Sequence, residues 1–207
     1  MNRNRLLWPP HAIAVIVLLS LGGCAPQDMV RPATEWPVRR AELQALEAWS
    51  LSGRVAVAAS GRGFSARLEW MQQAAASRID LTGPFGTGAL RVEVTGDEVT
   101  VRDHDGAVVA AGREAVGQRL GVDLPVRELR YWMLGVPAPR PGAAVDGVEV
   151  VGRNGRPVAF NDGGWWVRVE AWTPVAADVL PQRLVLERPG LRLKLVIDAW
   201  HLEGRAP

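Results

Sequence analysis

The chain of 207 residues contains one cysteine (Cys24), one lysine (Lys194) and three histidines. A lone cysteine excludes an intramolecular disulfide. The scarcity of imidazole is equally restrictive. With the N-terminal segment that holds His11 set aside, only His104 and His201 remain, and neither has an H-E-x-x-H spacing. There is no G-x-S-x-G elbow, and no Gly-Lys-Ser/Thr follows the glycines near residue 85, so hydrolase and phosphate-cradle chemistry find no support. Asp103 and Asp105 flank His104, but an Asp-His-Asp-Gly string is ordinary turn chemistry. The expectation is a protein that is not an enzyme and holds no metal or cofactor. Also missing is an apolar run of about 20 residues, the length of a membrane-spanning helix. Charge is balanced: of the 24 basic side chains two lie in the first 23 residues, which carry no acid, and the remainder faces 22 acids. Without clustered positive charge there is no nucleic-acid footprint.

What the N-terminus does contain is a graded signal. Arg3 and Arg5 precede an apolar stretch from Ala12 to Leu21, interrupted only by Ser20, and the stretch ends in Leu21-Gly22-Gly23-Cys24. This matches the basic and apolar regions of an export signal over residues 1–23. Its ending resembles the bacterial lipobox, which implies that Cys24 carries lipid and becomes the mature N-terminus. A buried free thiol, the alternative, would not explain why the cysteine closes the signal. Residues 24–37 are polar, with prolines at 26, 32 and 37, and read as a tether spanning roughly 45 Å when extended. A single domain is expected over residues 38–207.

That domain opens with a short helix around Leu43 and Leu46. Period-two alternation follows, the mark of half-buried antiparallel strands. Trp49, Leu51, Val55 and Val57 face one way against Ser50, Ser52 and Arg54. Phe64, Ala66, Leu68 and Trp70 repeat the pattern, as do Ile79/Leu81, Leu90/Val92/Val94 and Val99/Val101. The period turns helical between Arg113 and Leu120, and again from Val126 to Leu134. It returns to strand through Leu184/Leu186 and Leu191/Leu193/Leu195/Ile197. About ten strands and three short helices result, with one sheet face apolar and the other wet. The two central helices are placed to plug a curled sheet. Whether the interior is packed or holds a pocket stays open on pattern alone.

Two features carry the functional reading. Thr82-Gly83-Pro84-Phe85-Gly86-Thr87-Gly88 places one large apolar residue in a proline- and glycine-rich loop. Phe85 either points outward from that loop or folds back onto the core. Trp49, Trp70 and Trp132 lie on apolar faces, as core packing or as walls of a cavity.

Trp49-x-Leu51-x-Gly53-Arg54 comes first, then Trp70, Gly83-Pro84-Phe85-Gly86, and Gly121-x-x-Leu124-Pro125. Leu129-x-x-Trp132-x-x-Gly135-x-Pro137, Gly164-Trp165, Leu180-Pro181 and Trp200 follow. In this order the residues resemble the LolB family of outer-membrane lipoprotein receptors over nearly all of the mature chain. The resemblance implies an antiparallel sheet curled into an open, incomplete β-barrel, mainly β, with a helical lid. It implies an apolar cavity for lipoprotein acyl chains, with Trp49, Leu51, Val55, Leu68, Trp70, Leu81, Trp132, Leu193 and Leu195 as lining candidates. Pro84, Phe85 and Gly86 correspond to the family's membrane-dipping loop. The implied partners are the periplasmic carrier LolA, lipoprotein cargo and outer-membrane lipid, and no nucleotide is used. Ala25 after Cys24 fits outer-membrane sorting, with the domain facing the periplasm. The longer stretch Val136 to Gly142 departs from the family pattern. The competing expectation is an assembly lipoprotein whose packed β-scaffold binds protein.

Overall fold

Alternation of apolar and polar residues becomes one antiparallel sheet because each strand can bury only one of its two faces. The computed structural model describes residues 36–59, 61–86, 88–112, 114–140, 149–152, 156–176 and 178–203. The strands are β1 (Ala48–Ala59), β2 (Arg62–Gln73), β3 (Ala76–Thr82), β4 (Leu90–Thr95), β5 (Glu98–Arg102) and β6 (Val108–Ala111). They continue as β7 (Glu149–Val151), β8 (Pro157–Asp162), β9 (Trp165–Val175), β10 (Asp178–Arg188) and β11 (Leu191–Leu202). Their spatial order is β6-β5-β4-β3-β2-β1-β11-β10-β9-β8-β7. The chain meanders from β1 to one edge, crosses through helices α2 (Ala115–Leu120) and α3 (Val126–Met133), and meanders back from the other edge. Pairing of β11 with β1 joins the two arms, while β6 and β7 remain the edges of an open sheet. The sequence expectation of a mainly β, incomplete barrel is met. The edge strands β6 and β7 are only four and three residues long.

Helix α1 (Trp36–Gln44) precedes the sheet and begins two residues inside the segment read as tether. Pro37 suits its first turn, where no N–H is needed. Trp36 and Leu43 are buried, Arg39 pairs with the buried Asp178, and Gln44 Nε2 donates to the Pro137 carbonyl at 2.8 Å.

The apolar face of the sheet and helices α2 and α3 share one core. Helix α2 lies against β5 and β6, whereas Trp132 of α3 meets Trp165 of β9 at 5.6 Å between ring centroids. Both arms therefore wrap the same helical layer. Directional contacts fix where it sits. Trp132 Nε1 and the Ala138 N–H each donate at 2.8 Å to Oδ2 of Asp162, a carboxylate only 1 % exposed, and Arg140 pairs with its other oxygen. Arg130 donates to the Ala74 carbonyl of the β2–β3 turn at 2.7 Å, and Arg188 of β10 to the Asp123 carbonyl at 2.9 Å. The Val136-to-Gly142 stretch is buried at Val136 and pinned at Ala138 and Arg140, while its last two residues lie outside the described ones.

On the wet face, arginines pair with carboxylates across strands: Arg91 with Asp80 at 2.6 Å, and Arg102 with Glu93 and Arg192 with Glu187 at 2.9 Å. Such exposed pairs add little each. The β1–β11 junction is more demanding, because its register shifts between Ser52 and Gly53 and a Cβ at Gly53 would come 2.3 Å from the Val196 carbonyl oxygen.

Two stability outcomes follow from these contacts. Gly53→Ala forces the two arms apart and should cost about 1–3 kcal/mol in urea denaturation, the usual penalty of overpacking. Wild-type stability would show that the junction yields freely. Asp162→Ala strands the Trp132 and Ala138 donors in the core, and each unsatisfied group costs about 1–3 kcal/mol. An unchanged denaturation midpoint would show that this carboxylate does not hold the helical layer.

Candidate functional site

Between α3 and the sheet lies a cavity built from register-matched side chains. Leu193, Val57 and Phe64 are opposite one another across β11, β1 and β2, and Leu195 and Val55 form the next rung. Leu68 faces Leu81, and Trp70, Ile79 and Val92 form a row across β2, β3 and β4. Helical residues close the space opposite the sheet: Val116 from α2, Leu124 from the connection, and Val126, Leu129 and Met133 from α3. Positions 126, 129 and 133 fall on one helical face, so the same face that buries α3 also forms the wall. Every lining side chain is apolar. The atom-free space, counted to its open mouth, is about 590 Å³, of which about 60 Å³ can hold the centre of a water molecule. An apolar chain displaces nothing hydrogen-bonded there, whereas a charged group would lose its hydration without compensation.

Six of the nine lining candidates, Val55, Leu68, Trp70, Leu81, Leu193 and Leu195, stand around this space. Trp49, Leu51 and Trp132 are buried outside its lining. Trp49 packs between Trp70 and Trp200 at centroid distances of 5.5 and 5.4 Å, with Trp200 Nε1 donating to the Pro181 carbonyl at 2.8 Å. Trp70 Nε1 donates to the buried Gln72 at 3.3 Å. Trp132 is held by Asp162 and Trp165. Strand alternation had already placed Val57, Phe64, Ile79 and Val92 on the apolar face. The contribution of Val116, Val126 and Met133 required knowing which strands the helices cover.

The loop after β3 presents Phe85 in full contact with solvent, at 104 % of its reference exposure. Gly83 to Gly86 form a tight turn, closed by the Gly86 N–H donating to the Gly83 carbonyl at 3.2 Å, in which Phe85 has φ 58° and ψ 23°. This left-handed backbone disfavours a bulky side chain, and Gly86 (φ 77°) and Gly88 (φ 64°) continue it where no Cβ objects. At that exposure the Phe85 ring does not pack on the core. Antiparallel alternation sets the β3–β4 loop, the β1–β2 turn and the β10–β11 turn at one end of the sheet. Phe64 and Leu81, the lining residues nearest that end on β2 and β3, lead toward it. Thus the exposed aromatic hangs four residues beyond a cavity wall.

Cys24 lies outside the described residues. His104 sits on the exposed β5–β6 turn with its side chain 72 % accessible, and Asp103 Oδ1 accepts from the N–H groups of Asp105 and Ala107 at 3.0 Å, as turn chemistry requires. Arg54 faces outward and pairs with Asp198 at 2.9 Å.

Comparison with known proteins agrees with this geometry. The family model described as "Outer membrane lipoprotein LolB" matches residues 47–200. The outer-membrane lipoprotein LolB of Nitrosococcus oceani is 35% identical over 205 residues, covering 94% of this chain and 98% of that relative. The LolB of Halorhodospira halophila is 36% identical over 204 residues, with 93% and 96% covered. Among solved structures, a LolA superfamily protein from Nitrosomonas europaea superposes with a TM-score of 0.50 at 13% identity, covering 85% of this chain and 96% of its own. A putative outer membrane lipoprotein-sorting protein domain from Vibrio parahaemolyticus gives 0.53 at 7% identity, with 85% and 95% covered, so these two share the fold. The chain belongs to the LolB family of outer-membrane lipoproteins, and its role lies in lipoprotein localisation at that membrane.

Proposed function

We propose that this chain receives the acyl chains of lipoproteins from a LolA-type periplasmic carrier into the cavity under α3, and passes them into the outer membrane without nucleotide hydrolysis. The observation that carries this reading is the meeting, at one end of the sheet, of an apolar-lined space and a fully exposed phenylalanine. Residues 1–23 are removed as a signal, Cys24 is lipidated, and the tether ahead of α1 lets the domain work at a distance from its anchor. A scaffold with a fully packed interior would have no such space, which disfavours the assembly-protein alternative.

Transfer needs only a gradient of burial. Each buried methylene is worth about 0.8 kcal/mol, so a receptor that covers a few more than its donor gains several powers of ten in equilibrium constant. The free room in the cavity is small, so acyl chains enter by pushing the helical layer away from the sheet. That movement breaks mainly apolar contacts, which the incoming chain replaces. Release then requires a membrane close to the mouth, and Phe85 brings it there. Burying a phenylalanine contributes about 1.5–3 kcal/mol, sufficient to guide the mouth onto lipid and too little to replace a covalent lipid anchor.

Placing a carboxylate in the cavity separates this reading from its rival. Leu195→Glu or Leu68→Glu should abolish uptake of lipoprotein from the carrier. Variants that melt as the wild type does and still accept cargo would overturn the cavity. The exposed turn makes the complementary test. Phe85→Glu should leave the melting temperature and cargo uptake unchanged and block insertion into liposomes, so that loaded protein accumulates, while Phe85→Leu transfers normally. Normal insertion by Phe85→Glu would refute the role of the turn.

A further inference from the structure

At the end of the sheet that carries the Phe85 turn, two arginines of β2 have no ion pair among the described residues. Arg67 of β2 stands directly opposite Arg54 of β1, both on the wet face and both exposed. Like charges set opposite one another across strands are destabilising. Arg54 is compensated by Asp198 at 2.9 Å, but Arg67 has no ion pair among the described residues. The same is true of Arg62, exposed at the start of β2 next to the turn at Gly61.

Position makes these charges informative. Arg62 precedes the cavity-lining Phe64 by two residues on the same strand, so it has the parity of the cavity face, opposite to that of Arg67, at the end of the sheet where the mouth lies. Arg67 opposes Thr82 of β3, three residues before Phe85, and β2 runs alongside the Pro84–Gly86 turn. Carboxylates facing this end are mostly engaged: Asp80 by Arg78 and Arg91, Glu93 by Arg102, and Glu187 by Arg192. Asp103 and Asp105 occupy the tip of the β5–β6 hairpin, beyond β3 and β4 from Arg67. Glu69 is exposed two residues along the strand from Arg67, but no ion pair joins them.

We propose that Arg62 and Arg67 bind the anionic headgroups of phospholipids and so direct the Phe85 turn to negatively charged patches of membrane. The inference rests on the proposed insertion of Phe85 and adds a lipid class to it. An apolar tip flanked by free cations combines the two signals that hold weakly inserting proteins on bilayers, and a phosphate offsets the repulsion that Arg54 exerts on Arg67.

The test uses the mature, lipid-anchored protein with an environment-sensitive fluorophore on Phe85→Cys, where Cys24 is blocked by its lipid. The protein is reconstituted into phosphatidylcholine vesicles with or without phosphatidylglycerol. Burial of the fluorophore should be favoured by phosphatidylglycerol, by about 5-fold per arginine and roughly 30-fold in all, given the usual attraction of one basic side chain to an anionic surface. Arg62→Gln combined with Arg67→Gln should remove that preference, leave burial in pure phosphatidylcholine unchanged, and keep or raise the melting temperature. Arg62→Lys with Arg67→Lys should retain the preference. Equal burial in both vesicle types with the arginines present would overturn the headgroup role and leave Phe85 insertion standing. Burial in neither would sink the insertion reading and this inference with it. A glutamine pair that keeps the lipid preference but loses uptake from the carrier would assign the arginines to protein contact instead.

Discussion

Burial of one sheet face is the constraint on which the rest of this molecule depends. The sheet of eleven strands among the described residues is open at β6 and β7, so its apolar face must be covered from outside the sheet. The cover is α2 and α3, six and eight residues long, and helices of that length are not stable alone in water. Sheet and helices therefore exist through one another. A plug this small does not match the concave face of so wide a sheet. The cavity is the remainder, walled on one side by the apolar face of the sheet and on the other by side chains of α2, α3 and their connection.

Apolar contact has no direction, so the seat of the helical layer is decided by a few polar ties. They are unequal. Past the C-terminal end of α3, a buried carboxylate gathers an indole N–H, a main-chain N–H and a guanidinium, and Gly135 lies so close to Trp172 that a Cβ would come within 2.7 Å of its ring. Toward the β4–β5 turn, α3 is held by the solvent-exposed pair of Arg127 with Asp97. Loss of an exposed pair costs little, whereas loss of a buried one leaves stranded charge. The layer is thus tied through a buried carboxylate toward β8 and β9 and through an exposed pair toward the β4–β5 turn.

Phe85 bears two costs at once, a left-handed backbone disfavoured for a bulky residue and complete exposure of an aromatic ring. Folding toward the core would relieve the second. The turn prevents it, since Pro84 fixes its own φ and the glycines at 86 and 88 accept positive angles that complete the projection. Strain of this kind persists where the surroundings over-determine it, and it concentrates at sites that act on something outside the molecule.

Much of this was legible in the sequence. Period-two alternation assigned Val55, Leu68, Leu81, Leu193 and Leu195 to one face, because side-chain direction in a strand is fixed by parity and needs no tertiary knowledge. The two central helices and the turn at residues 82–88 were legible for the same local reason, the first through a change of period and the second through proline and glycine. Local pattern could not supply pairings between residues far apart in the chain. That β11 returns to β1, that Asp162 meets Trp132, and that Arg67 stands opposite Arg54 depend on register between strands, which each strand's own pattern leaves undetermined. Trp49 and Trp132 show the limit most clearly: parity or helical period made both interior, but only the curl of the sheet decided that neither would border the cavity. Whether Phe85 would point out or in was likewise settled by three-dimensional backbone angles, since proline and glycine permit both directions and only the assembled loop selects one.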